Sequence, residues 1–150
     1  MNAKSDIQPV SAPEPARKYF TLDEANRALP YISRVAQDIR DSYRRAVKLQ
    51  EQLDQPVPED DIDLLRDDYE ETISRLNRYV DELHDVGVEL KDYEVGLVDF
   101  PAMHEGREIC LCWKTGEDHI EAWHEVHTGF AGRQAVSTLV KSTPSKRKRA

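Results

Sequence analysis

The chain has 150 residues, 39% of them hydrophobic and 33% charged, with a formal net charge of −8. That length suits one domain with a modest core beneath a heavily charged surface. No apolar run approaches the roughly 18 to 20 residues of a membrane span. The N-terminal MNAKSDIQPVSAPEPARK lacks the apolar stretch of a signal peptide, so a cytoplasmic location is expected.

Residues 1–18 hold Pro9, Pro13 and Pro15 among small and charged residues and read as a disordered leader. Order is expected to begin at Tyr19-Phe20-Thr21. Thr21-Leu22-Asp23-Glu24 is a capping box, with Phe20 placed as a hydrophobic staple. An apolar seam then runs through Leu22, Ala25, Leu29, Ile32, Ala36, Ile39, Tyr43, Ala46 and Leu53, in steps of three and four broken at Gln50. This heptad pattern predicts a long helix packed side by side with another. Pro30 removes one hydrogen bond and should bend the helix without ending it.

Pro56 and Pro58 interrupt the pattern, and a second seam follows: Ile62, Leu65, Tyr69, Ile73, Leu76, Val80 and Leu83. Asp60, Asp61 and Asp63 suit a helix N-terminus, and Gly87 suits the left-handed position after its end. The prediction is an antiparallel, coiled-coil-like helical hairpin over about 21–87.

From Val88 the period changes to two. Val88–Lys91 reads as a short strand, Asp92-Tyr93-Glu94 as a turn, and Val95–Phe100 as a strand stopped by Pro101. Met103-His104-Glu105-Gly106 reads as a hairpin connection. Arg107–Trp113 is a strand with Ile109, Leu111 and Trp113 on one face and Cys110 and Cys112 on the other. Gly116-Glu117 turns the chain into a strand over Ile120–Val126. The expected fold is α+β: the hairpin followed by a small antiparallel β meander over about 88–136. The meander is too thin to stand alone. Its apolar face (Val98, Phe100, Ile109, Leu111, Trp113, Trp123) must pack on the hairpin or on another subunit. Residues 137–150 read as a basic, disordered tail. Lys141, Lys146, Arg147, Lys148 and Arg149 lie there with no acidic residue after position 140, leaving −13 on the rest. The tail is the one segment suited to touch nucleic acid or anionic lipid.

Several motifs carry a resemblance. Phe20-Thr21-Leu22-Asp23-Glu24-Ala25-Asn26, Gly96-Leu97-Val98-Asp99-Phe100-Pro101, Leu111-Cys112-Trp113, Trp123-His124-Glu125 and Gly129-Phe130-Ala131-Gly132-Arg133 resemble a bacterial family, domain of unknown function 2203. The resemblance spans about 19–136 and implies a stand-alone bacterial protein of this size, with no activity or site attached.

The residues suited to chemistry lie in the cap: Asp99, Cys112, Glu117, His119, His124, Glu125 and His127. Carboxylate, imidazole and thiolate are the donors that zinc or another divalent transition metal selects. The spacing of His124 and His127 does not match the frame of a metalloprotease helix, and no second CxxC pair exists. Cys110 and Cys112 sit near the distance limit for a disulfide, so reduced thiols are expected.

Three readings stay open for the cap. One is a metal site of Asp99, Cys112, His124 and Glu125, serving a metal-binding protein or a metal-dependent hydrolase. Another is a hydrogen-bonded polar network. A third is metal-free catalysis pairing Asp99 or Glu125 with His124. Arg133, presented by a glycine-bounded turn, either makes an internal salt bridge to Asp99 or Glu125 or binds an anion. For the whole protein, the competing expectation is a non-enzymatic module that self-associates as a homodimer, or binds another protein, through the hairpin.

Overall fold

A computed structural model describes residues 17–141; the rest of the expected leader and the basic residues 142–150 lie outside the described residues. Two long helices, α1 (Leu22–Leu53) and α2 (Glu59–Val86), pack against each other and are followed by five strands and a short helix. The strands are β1 (Glu89–Asp92), β2 (Leu97–His104), β3 (Arg107–Lys114), β4 (Ala122–Glu125) and β5 (Gln134–Ala135), with α3 at Ser137–Lys141. They form one antiparallel sheet in sequence order, so the α+β hairpin-plus-meander fold is the one observed. Among the described residues, no helix is long and apolar enough to cross a membrane.

Local chemistry sets the helix ends. The Thr21 hydroxyl accepts from the Glu24 backbone N–H at 3.0 Å, and the Glu24 carboxylate accepts from the Thr21 N–H at 3.0 Å. These bonds satisfy donors that the first turn otherwise leaves open. At the other end of the hairpin, Gly87 takes φ 104°. Its N–H donates to the His84 carbonyl, and the Val88 N–H donates to Leu83. Leu83 and Val88 are both buried. This is a Schellman closure with its apolar contact. The helix runs unbroken through Pro30.

The sheet covers the half of the hairpin that carries Ala25, Leu29, Ile32, Ala36, Ile39, Leu76 and Leu83. Its apolar face is the expected one: Val98, Phe100, Ile109, Leu111, Trp113 and Trp123 join these helical residues in one core. Phe20 is buried and meets Phe100 edge to face at 5.2 Å. A polar tie reinforces the seam. Asn26 Oδ1 accepts the Ile120 N–H at 2.7 Å, joining α1 to the loop before β4.

The first turn of the meander is closed by Asp92, whose carboxylate accepts the N–H groups of Glu94 and Val95. Gly96 follows with φ 78°, and an added Cβ there would fall 2.1 Å from the Thr115 hydroxyl. Glycine is required on both counts. The hairpin between β2 and β3 turns on Glu105 and Gly106, with φ 52° and 80°. Positive φ at both positions is the two-residue turn that matches strand twist.

Three expectations need correction. Pro101 does not stop β2, which continues to His104. The pairing with β1 reaches only to Asp99, and the Pro101 carbonyl accepts from the Phe20 N–H at 2.8 Å. Carbonyl and nitrogen of one strand residue point the same way, so the missing N–H of Pro101 faces an edge and costs no ladder bond. The fourth strand is shorter than expected, because the Glu125 carbonyl accepts from the Thr128 N–H and the chain turns after Glu125. Finally, Ser137–Lys141 form α3 where the expected tail had already begun. The Trp123 indole N–H donates to the Thr138 hydroxyl at 2.8 Å, and Leu139 packs on the core.

Candidate functional site

The sheet has a second face, turned away from the hairpin, and three adjacent strands place polar side chains on it. Asp99 on β2 stands opposite Cys112 on β3, and Cys110 on β3 stands opposite His124 on β4. The His124 ring therefore reaches across β3 to the Asp99 carboxylate, with Nε2 at 3.1 Å from both Oδ1 and Oδ2. Its other nitrogen, Nδ1, lies 2.7 Å from the Glu125 carbonyl. Asp99, Cys112 and His124 each offer a donor atom within 4.8 Å of the others, and all three are buried.

The backbone carbonyl only accepts, so Nδ1 carries a proton, and Nε2 faces the Asp99 carboxylate across a gap that a proton or a cation can bridge. Burial pushes the thiols of Cys110 and Cys112 up to about 12, and the Asp99 charge adds to the effect in both. A thiol so disposed stays protonated and is a poor nucleophile near neutral pH. With the His124 and Asp99 side chains 2% exposed, a substrate has no access to the pair. The arrangement can hold a cation or share a proton.

Of the expected site residues, Asp99, Cys112 and His124 come together and Glu125 does not. Strand alternation turns Glu125 to the other side, where Arg107 holds its carboxylate with bonds of 3.1 and 2.7 Å. That partner also keeps the Glu125 carboxyl below its ordinary pKa. The contribution of Glu125 to the cluster is its backbone carbonyl. His119 and His127 are exposed and stand outside the group.

Arg133 makes an internal salt bridge, but to neither carboxylate named for it. Its guanidinium donates to both Glu117 oxygens at 3.0 and 2.9 Å and to the Cys112 carbonyl at 3.2 Å, and it lies over the Phe130 ring. Glu117 in turn accepts the Lys114 N–H, and the Glu117 carbonyl accepts the Trp113 indole N–H. Glu117 thus ties the loop after β3 to the turn that presents Arg133.

A second feature lies beyond the sheet, on the distal half of the hairpin. There Tyr43, Ala46 and Val47 on α1 face Tyr69, Ile73 and Leu76 on α2 across an open groove of about 330 Å³, with Tyr93 at its sheet end. The lining steps by three and four along each helix, as positions on one helical face do. On α2, Leu76 and Leu83 are buried and Val80 between them is half-buried, and beyond the sheet Ile62, Leu65, Tyr69 and Ile73 are all half-buried. Arg44, Arg45 and Lys48 stand near the groove on α1, and α2 carries Asp67, Asp68, Glu70 and Glu71 along the same stretch. Arg45 and Asp68 pair across the hairpin.

The family model of an uncharacterized conserved protein, DUF2203, matches residues 18–136, and the chain belongs to that family. No curated protein and no solved structure matches it.

Proposed function

Because membership of this family brings no activity with it, we propose from the geometry that the protein is a non-enzymatic interaction module. Its partner is a second copy of the chain, docked through the distal half of the hairpin as a homodimer. One observation carries the reading: the distal apolar stripe of α2, Ile62, Leu65, Tyr69 and Ile73, is half-buried at every position and has no sheet over it. A helix stabilises its apolar stripe by burying it against another element, and a two-helix hairpin alone leaves one side of the stripe wet. A second hairpin supplies that cover. Along this stretch α1 carries Arg44, Arg45 and Lys48 with Glu51, and α2 carries Asp67, Asp68, Glu70 and Glu71 with Arg66 and Arg75. The net charges are opposite, so a symmetric arrangement that sets α1 against the partner's α2 matches charge as well as apolar surface.

The test is sedimentation of the full chain at micromolar concentration. A dimer is expected, and the double substitution Val47→Glu and Ile73→Glu should convert it to a monomer with unchanged helical content. A substitution in the cap, such as Cys112→Ser, should leave the dimer intact. A wild-type chain that sediments as a monomer throughout the micromolar range overturns the proposal.

A further inference from the structure

The polar cluster on the outer face of the sheet poses a problem of charge that the hairpin does not address. His124 Nε2 and both Asp99 oxygens converge at 3.1 Å, and with Nδ1 committed to the Glu125 carbonyl, all three atoms are acceptors when the ring is neutral. Acceptors held face to face in a buried site require something positive between them. A proton meets that need for the histidine–aspartate pair. The Cys112 thiol, fully buried and within 4.8 Å of both partners, donates to the same Asp99 carboxylate, so a third donor atom converges on that point.

We infer that Asp99, Cys112 and His124 form a binding site for one zinc-class divalent transition metal ion, held in the interior of the protein. The donor set is one nitrogen, one oxygen and one sulfur, which zinc, cobalt and their neighbours accept and which magnesium and calcium do not. The Nδ1–H to backbone carbonyl bond is the outer contact that fixes the ring of a metal-ligating histidine and aims its free nitrogen. Charge also balances. A divalent ion with one thiolate, one carboxylate and a neutral imidazole is neutral, as is the ion-free site with thiol, carboxylate and imidazolium. Binding therefore exchanges the ion for the thiol proton and the proton shared by His124 and Asp99, and neither state buries an uncompensated charge. The three ligands come from three neighbouring strands, so the ion is a cross-brace of the cap. Three protein donors leave the fourth position of a tetrahedral ion to a water, and the burial of Asp99 and His124 keeps a substrate from it.

The experiment uses the untagged full chain, reduced, stripped with a chelator and titrated with cobalt(II) and then zinc(II). One equivalent of cobalt should bind, with visible bands of a tetrahedral centre and a near-ultraviolet sulfur-to-cobalt band, and zinc should bleach both. At a hundredfold excess of free zinc over its dissociation constant, the thermal midpoint should rise by roughly 8 °C. Cys112→Ser should lose the sulfur-to-cobalt band and weaken binding at least about tenfold, whereas Cys110→Ser should keep the band. The inference is overturned if the wild-type chain shows neither cobalt absorption nor a thermal shift with zinc. It is equally overturned if the sulfur-to-cobalt band survives Cys112→Ser. The wild-type titration stands whether or not a variant folds, and none of these readouts depends on the hairpin forming a dimer.

Discussion

Asn26→Ala tests the joint between hairpin and cap at one of its polar ties; the Arg40 guanidinium on the Glu94 carbonyl is another. Two effects oppose each other. Asn26 lies inside α1, where alanine is the better helix former by about 0.6 kcal/mol. Against this, the substitution strips the Ile120 N–H of the acceptor it holds at 2.7 Å, and Ile120 itself is 1% exposed. A buried donor left without a partner costs about 1 to 3 kcal/mol. Asn26 is only half-buried, so water relieves part of that cost and the lower half of the range applies. The net expectation is a loss of about 1 kcal/mol, with the hydrogen bond outweighing the helix propensity. Urea denaturation at matched pH measures it as a lower midpoint with an unchanged slope. Asn26→Asp keeps an acceptor oxygen in place and should recover at least half of the loss. If the alanine variant matches the wild type, or the aspartate variant is as unstable as the alanine one, the tie does not hold the cap.

Two further outcomes follow from the titrating groups. Burial and the nearby Asp99 hold both thiols near 12, so at pH 8 neither should react with a disulfide reagent until the cap opens. Prompt stoichiometric labelling of the native chain refutes this, and the denatured chain supplies the fast reference rate. For acid stability, Glu24 is held low by the Thr21 N–H, Glu89 by Lys91 and Glu125 by Arg107, all below the ordinary 4.5. A carboxylate depressed in the folded state stabilises above its unfolded value, and that contribution is lost as pH falls through the folded one. The raised thiols act in the opposite sense: their contribution is present below 9 and is lost as pH climbs towards 12. Thermal melts should therefore fall away below about pH 4.5 and again above about pH 9. A melting temperature that climbs on acidification contradicts the acid limb.

The hairpin was legible because its signals are local. Period, capping box and terminal glycine each depend on residues within one or two turns, and both helix ends fall where those residues place them. The strands were legible where alternation was long, as along Arg107–Lys114, and not where pairing decides. Pro101 reads as a stop unless one knows that β1 has already ended beside it. Gln134–Ala135 is too short to show a period at all, and it pairs only because β4 offers a free edge. At the site, residue types pointed to Asp99, Cys112 and His124 but also to Glu125, which the alternation of β4 places on the opposite face from His124. The partner of Arg133 was not readable, since Glu117 reaches it only through the fold of two loops.

The sheet also determines how the two proposals relate. Along β3, Leu111 and Trp113 face the hairpin while Cys110 and Cys112 face the cluster, so every second residue of one strand serves each side. Trp113 is fixed on the hairpin side and is linked through Glu117 to Arg133, which holds the Cys112 carbonyl on the other. A cation that clamps β2, β3 and β4 therefore stiffens the strands that cover the proximal half of the hairpin, where Phe20 meets Phe100 and Asn26 meets Ile120. It makes no contact with Tyr43, Val47, Tyr69 or Ile73, which lie beyond the sheet. Metal binding should accordingly raise the stability of the hairpin–cap joint and leave self-association unchanged. A dimer that strengthened with metal would instead require the cluster to communicate with the distal helices, and Tyr93, packed on Tyr43 from the β1–β2 turn, is the contact through which it would pass.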